Sequence, residues 1–412
     1  MTANTTAGRK SERRQPATWI SAIAIALGGY ALPCLHASQI VAWGAGKATD
    51  APDFYSAGQS VVPANLTNAV LLVGGWRHSL ALKTDRTLQA WGDDSAGQSD
   101  FFPAGQSNYV AIGCGQLHSV ALNSNGIPVT AGDNLFSQQE IPTNLSNVVA
   151  VAAGFYHSLA LRKDGTVIAW GMSTNASAIG VDPNYGQTSI PADLSNVVSI
   201  AAGGWHSLAL RDNGTLRAWG RDSNGQAEIP VGISNVIAIS AGASHNLILT
   251  SDGRVTAWGY NFYGQTNVPP DLSNVVAIAA GGWHNLALKN DGTVVAWGAG
   301  SAGPTLVYGQ NSVPPGLSNV VQIAAGLAHS LALIDSAPPL TRSSLVHPSM
   351  TSAGFGVSVI TRFGHVYRIE SAGSPASTTW NALPLQFGLD GELRLIDPAP
   401  TGPQRFYRAR KW

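Results

Sequence analysis

The chain has 412 residues, 44% of them apolar, enough to fill one large core and a smaller accessory one. Only 11% of residues are charged, and 23 basic side chains balance 23 acidic ones. That balance leaves no basic stripe for nucleic acid or an anionic membrane, so neither is expected as a partner. The 46 glycines fall at turns in register with a repeat, which separates the chain from low-complexity sequence.

Residues 1–37 differ from the rest. Arg9, Lys10, Arg13 and Arg14 precede an apolar run from Trp19 to Leu32, followed by Pro33 and the small residue Ala37. The run is short of the ~20 residues a spanning helix needs, and its order is that of a secretory signal peptide cleaved near Ala37, with an uncleaved anchor as the alternative. Secretion, to the exterior, the cell surface or the periplasm, and no membrane span in the mature chain are the expectations. Cleavage removes Cys34 and leaves Cys114 alone, so no intramolecular disulfide is expected. Cys114 fills the slot of Ala202, Ala241 and Ala280 in other repeats and reads as a small buried residue.

Ile40 to Gly44 reads as a lone strand ending in Trp-Gly. After it a phrase recurs seven times: a small-residue run ending in Gly, two residues, then His-Ser-Leu-Ala-Leu or a near relative. Its histidines are His78, His118, His157, His206, His245, His284 and His329. A spacing near forty residues, built of short apolar runs and Gly-rich turns, marks a radial array of small sheets, a β-propeller.

The sixth repeat shows the unit. Val275 to Ala280 is a first strand, His284 to Leu288 a second, Asn290-Asp291-Gly292 a hairpin turn, and Thr293 to Trp297 a third strand. The segment from Gly309-Gln310 to Val313-Pro314 is expected as a short outer strand, where proline is tolerated. Alternation puts His284, Leu286 and Leu288 on one face and Asn285 and Ala287 on the other. The Trp-Gly endings fall at Trp43, Trp91, Trp170, Trp219, Trp258 and Trp297, with Ala131-Gly132 in the remaining slot. Third strands and histidine strands are therefore equal in number but offset by one. The N-terminal strand should complete the last blade, closing an all-β, seven-bladed ring and removing its open edge.

These residues resemble a known family. The stretch from Val275 to Gly298 is similar to the regulator of chromosome condensation repeat, and closer in style to the short repeats of the secreted bacterial β-lactamase inhibitory protein II branch, including the Gly264-Gln265 and Val268-Pro269 element. The resemblance covers roughly 38 to 335. It implies a propeller whose residues before each histidine form a protein-binding face with an inhibitor-like role. Guanine-nucleotide exchange, known from long-repeat relatives, is opposed by the signal peptide and the shorter repeats.

Strand parity puts the loops before the histidines and those after Trp-Gly on one face, the top. That face collects Trp76, Arg77, Phe155, Tyr156, Trp205 and Trp283. Three over-long loops add Phe54 and Tyr55, then Tyr185, then Tyr308. Exposed aromatics on rigid loops are typical anchors of a binding surface, although some of Trp76, Phe155, Trp205 and Trp283 could simply plug the channel. The expected partner of this monomer is an extracellular or periplasmic protein, such as a β-lactamase or cell-wall enzyme, with a cell-wall glycan as the alternative. Ring-related histidines cannot converge on one metal, and each is expected to bond nearby backbone. Asp93, Asp94, Asp133 and Asp222 sit in turn-like contexts, so no catalysis or cofactor is expected, a propeller hydrolase being the alternative.

The expected organisation is a leader over 1–37, the propeller over 38–337, a linker over 338–344 and a small β module over 345–412. In the module, Val357 to Thr361, His365 to Glu370 and Leu393 to Ile396 read as strands. Trp380 and Phe406-Tyr407 are its expected core.

Overall fold

The computed structural model describes residues 38–49, 55–99, 107–172, 184–299 and 308–335 of the repeat region. In the C-terminal part it describes 345–351, 354–361, 365–372, 377, 380–388, 392–397 and 406–411. The expected leader, the linker and Phe54 lie outside the described residues.

Seven three-stranded antiparallel sheets form the repeat region, one per histidine phrase. Blades are numbered here by their histidines, from His78 to His329. In blade 6 the inner strand is Val275–Ala280, the middle one His284–Lys289 and the outer one Val294–Gly298. Blade 7 takes its inner and middle strands from Val320–Ala325 and His329–Ile334. Its outer strand is Gln39–Gly44, which pairs from Gln39 opposite Ile334 to Gly44 opposite His329. The offset counted in the sequence is thus resolved by the closure it required.

The expected outer fourth strand from Gly309 to Pro314 is not formed; the segment runs as turns. Its groups have other work. The Gln310 carbonyl accepts hydrogen bonds from Trp43 Nε1 (2.9 Å) and Ser330 Oγ (2.8 Å), which ties the segment to blade 7 without a ladder.

The apolar core lies between blades. Leu286 and Leu288 of blade 6 pack on Val320, Ile323 and Ala332 of blade 7, while Leu247 and Leu249 of blade 5 pack on Val275, Ala287 and Trp297 of blade 6. Large residues on one sheet face meet small ones on the next, as the alternation required. Each fully buried leucine contributes roughly 2 kcal/mol.

The recurring asparagine before each inner strand also has a physical cause. Asn147, Asn196, Asn235, Asn274 and Asn319 adopt φ of 54–58°, a left-handed conformation that asparagine accepts more readily than most residues. In this pose their carbonyls take the amides of Lys163, Asp212, Ser251, Asn290 and Asp335 at 2.8–3.2 Å, locking inner strand to hairpin on the underside.

The C-terminal module has two sheets. Gly354–Ile360 pairs with Leu345–Thr351 and Glu392–Asp397. Val366–Ala372 pairs with Asn381–Ala382, Gln386–Phe387 and Phe406–Lys411. Val357, Val359 and Tyr367 form its buried centre, with Phe355 stacked on Tyr407 at 4.2 Å. Trp380 departs from expectation. It is not part of that centre; its ring lies beneath the Arg408 guanidinium, 4.2 Å away, and its Nε1 donates to the Ser377 carbonyl.

Candidate binding face

A belt of histidines underlies the top face. All seven are fully buried, and each ring crosses to the following blade. His78 meets Ser119, His118 Ser158, His157 Ser207, His206 Asn246, His245 Asn285, His284 Ser330 and His329 Ser79, at 2.7–3.0 Å. The expected backbone partner is therefore replaced by a side chain one period later. Reach explains this: the residue after each histidine points back at the previous blade, toward the preceding ring.

The next link fixes the proton positions. Asn246 and Asn285 donate Nδ2–H to the carbonyls of Gln226 and Gln265, and Ser207 Oγ donates to the Gln187 carbonyl. A carbonyl can only accept, so each Asn or Ser oxygen is left to receive the histidine Nε2–H. The Nδ1 atoms are buried and carry no hydrogen bond. Burial pushes the imidazoles down, to about 4 in His78, His206 and His245 and about 3 in His118, His157, His284 and His329. Close packing at the axis enforces the sequence: a Cβ on Gly281 would lie 2.4 Å from His284 Cε1 and 2.5 Å from the Gly326 carbonyl.

Trp43, Trp91, Trp170, Trp219 and Trp297 donate Nε1–H to the backbone carbonyls of Gln310, Gln59, Gln138, Gln187 and Gln265. The Trp-Gly tryptophans are thus framework. The glutamines are fully buried, and each side-chain Oε1 accepts the amide of the residue two positions earlier: Ala57, Ala96, Phe136, Tyr185, Asn224, Tyr263 or Tyr308. Those residues are held on the top face by a buried anchor.

The two positions before each histidine do different things. The first, nearer the axis, holds Trp76, Gln116, Phe155, Gly204, Ala243, Gly282 and Leu327. Trp76 and Phe155 meet at 5.0 Å, Leu327 is buried, and all three line a recess of about 90 Å³ at the channel mouth. The glycines here make room for neighbours: a Cβ on Gly204 would touch the Phe155 ring at 3.0 Å, and one on Gly282 would meet Leu327 Cδ1 at 2.5 Å. Trp76 and Phe155 therefore lie across the channel mouth, both still half-exposed.

The second position, farther out, holds Arg77, Tyr156, Trp205 and Trp283. Each is braced by a loop that follows an outer strand. Arg77 lies 3.8 Å from Asp93, and Tyr156 packs on Phe136 at 4.8 Å. Trp205 packs edge-on to Phe155 at 4.8 Å, and the Arg221 guanidinium sits over both its ring and that of Tyr185, at 5.1 and 5.0 Å. Trp283 meets Tyr55 at 5.8 Å and Tyr263 at 5.9 Å, and Tyr55 continues to Tyr308 at 5.7 Å.

Two outer clusters result, one around Tyr156 and Trp205 and one around Trp283. Sequence reasoning missed Phe136, Tyr260, Phe262 and Tyr263 because it looked to the long loops. The register two residues before each buried glutamine would have found Phe136 and Tyr263. Phe262 is 66% exposed and stacks on Tyr260 at 6.3 Å. Asp94, Asp133 and Asp222 cap their own turns by accepting the amides of Ser99, Leu135 and Ala227.

A family model described as the Regulator of chromosome condensation (RCC1) repeat matches residues 70–98, 148–176, 197–226, 236–265 and 275–303, in blades 1, 3, 4, 5 and 6. Blade 2 has Ala131 in the tryptophan slot, and blade 7 receives its outer strand from the other end of the repeat region. A comparison with curated protein sequences gives no match. Among solved structures, Prp20p of Saccharomyces cerevisiae is 19% identical, with a TM-score of 0.58 over 74% of this chain and 93% of that one. Human WBSCR16 is 20% identical, with a TM-score of 0.54 over 72% and 100%. The ectodomain of the Physcomitrella patens receptor kinase CR4 is 19% identical, with a TM-score of 0.50 over 69% and 78%. At these identities the likeness is one of fold. The repeat region of this chain is thus a seven-bladed β-propeller, five of whose blades carry the RCC1 repeat.

Proposed function

We propose that the chain is a secreted, non-enzymatic binding module that holds a protein partner on its top face. The outer aromatic clusters carry this reading. Tyr156, Trp205 and Trp283 stand partly exposed, each braced by an aromatic or guanidinium from an adjoining loop. Large rings held in place before binding lose little entropy on contact, and such residues dominate interface energies. Arg77 and Arg221 add charge at the edge of the clusters.

The basic-then-apolar order of the first 37 residues supports a partner outside the cytoplasm. The resemblance to the β-lactamase inhibitory protein II branch supports a β-lactamase or a cell-wall enzyme, met by an inhibitor-like face. Prp20p is described with its binding to Gsp1p and histones. That is a case of this fold engaging proteins, and at 19% identity it assigns no partner here.

The test is a titration of class A β-lactamases and fractionated secreted proteins against the full chain. Trp205→Ala/Trp283→Ala should weaken binding by at least 100-fold, and Trp76→Ala much less. Equal binding by the folded double variant overturns the reading. A glycan is the second reading, favoured by the uncharged Tyr260-Asn261-Phe262-Tyr263 stretch, whose exposed ring faces could stack on sugars. It requires Phe262→Ala to lose binding to soluble cell-wall oligosaccharides.

A further inference from the structure

The underside of the ring breaks its own symmetry beneath blades 3 and 4. In the hairpins of blades 1 to 6 the residue whose amide bonds the underside asparagine is Thr84, Ser124, Lys163, Asp212, Ser251 or Asn290. Asp212 is the one carboxylate among these six; Asp335 holds the same register in blade 7, but it is on Asp212 that the C-terminal module lands. Arg368 Nη2 lies 3.3 Å from Asp212 Oδ2, and Arg410 Nη1 donates to the Asp212 carbonyl at 2.8 Å. On blade 3, Leu385 N donates to the Lys163 carbonyl at 3.1 Å.

Burial follows the same line. Val366 and Leu385 of the module join the apolar cluster that contains Val149 and Val198, the second residues of the inner strands of blades 3 and 4. Val149 is 2% and Val198 0% exposed, whereas Ile237, their counterpart in blade 5, is 40% exposed. Arg368 is itself nearly buried and is shared with Glu370 at 2.9 Å, whose second oxygen takes Arg408. Buried charges of this kind persist only where partners on both sides are fixed. Farther in, His365 lines an axial cavity of about 160 Å³ together with Leu71, Val110, Val149 and Gln322.

We infer that the C-terminal module is a fixed cap on the propeller: it covers the underside end of the channel, with Asp212 as its anchor, and leaves the top face as the uncovered side. Trp76, Phe155 and Leu327 line the recess at the other mouth, so a partner meets the molecule from that side. The inference is independent of whether the top face binds anything.

The repeats supply the control. In hydrogen exchange on the full, unliganded chain, the amides of Lys163 and Asp212 should exchange at least tenfold more slowly than those of Ser251 and Asn290, which bond equivalent asparagine carbonyls but meet no module residue among those described. Asp212→Ala should speed exchange in the blade 4 hairpin toward the rate of blades 5 and 6, the Arg410 bond to the backbone carbonyl being retained, while Asp252→Ala leaves blade 4 unchanged. Uniform exchange across the four hairpins of the wild-type chain overturns the cap.

Discussion

The histidine belt and the face above it are built from adjacent residues of the same phrase, yet they obey opposite rules. The belt repeats because each of its groups completes a neighbour: ring to Ser or Asn, Ser or Asn to glutamine carbonyl, tryptophan to that carbonyl again. A change in one blade strands a partner in the next. The positions before the histidine have no such obligation on their outward side, so they vary from Arg to Ala to Trp. In a repeat protein, variation beside an invariant buried element locates the surface free to acquire a partner.

Acid should separate the two regions most sharply. The buried imidazoles titrate near 3 to 4, against 6.5 for the free ring. The unfolded chain therefore binds more protons below 6.5, and stability falls as pH falls from there toward 4. All seven histidines contribute in the same direction over that window, so the belt as a whole turns acid-sensitive. Urea midpoints followed by tryptophan fluorescence should be level from pH 8 to 7 and collapse between pH 6 and 5. A propeller that keeps its midpoint at pH 4.5 refutes this account of the belt.

Within the belt, Asn285→Ala strands His245 Nε2–H and leaves the Gln265 carbonyl with the Trp297 indole alone. A loss of about 3 kcal/mol is expected, whereas Asn285→Ser, which restores the group used in five other blades, should stay within about 1 kcal/mol of wild type. Equal losses would mean that shape, and not the relay, sets the belt.

The two pre-histidine registers should part next. Trp76→Ala opens the channel mouth and should cost about 3 kcal/mol with little effect on partner affinity. Trp283→Ala removes only edge contacts with Tyr55 and Tyr263, about 1 kcal/mol of stability, and should bear on binding. Paired thermal melts and titrations read both effects, and a reversed order would exchange the roles of mouth and face.

The smallest effect lies on the underside. Arg86 holds φ at 62° in the blade 1 hairpin, where blades 2 to 6 place Gly126, Gly165, Gly214, Gly253 and Gly292 at 75–81°. Arg86→Gly removes left-handed strain and should raise stability by about 0.5 to 1 kcal/mol, visible as a small rise in Tm.

Much of this architecture could be read before any coordinates. Strand bounds, blade number and the closing strand follow from one phrase repeated about every forty residues, because periodicity and offset are properties of order alone. The outer fourth strand was misjudged because Gly-Gln-x-x-Val-Pro looks like an edge strand, whereas its carbonyl is engaged by Trp and Ser side chains from the adjoining blade. The cross-blade partner of each histidine was hidden for a related reason: the Ser or Asn beside the ring serves the previous ring, one period away. Trp76 and Trp283 looked alike as pre-histidine aromatics, and a one-residue difference in register sends one to the axis and the other outward. The docking of Arg368 on Asp212 joins two segments with no shared pattern.

The closing strand has a consequence in time. Gln39–Gly44 is synthesised before any other strand of the ring and pairs with His329–Ile334, among the last repeat strands to emerge. Until then the growing chain carries an unpaired edge at its start and an incomplete sheet at its end, linked by six blades that can each form locally. Joining the ends of so long a segment adds little entropy beyond that of a shorter loop, because the cost rises only with the logarithm of length. The rate is another matter, since contacts of high sequence separation form late. Assembly should therefore end in a single slow ring-closing event, and a second copy of the chain offering the same strand is its natural competitor.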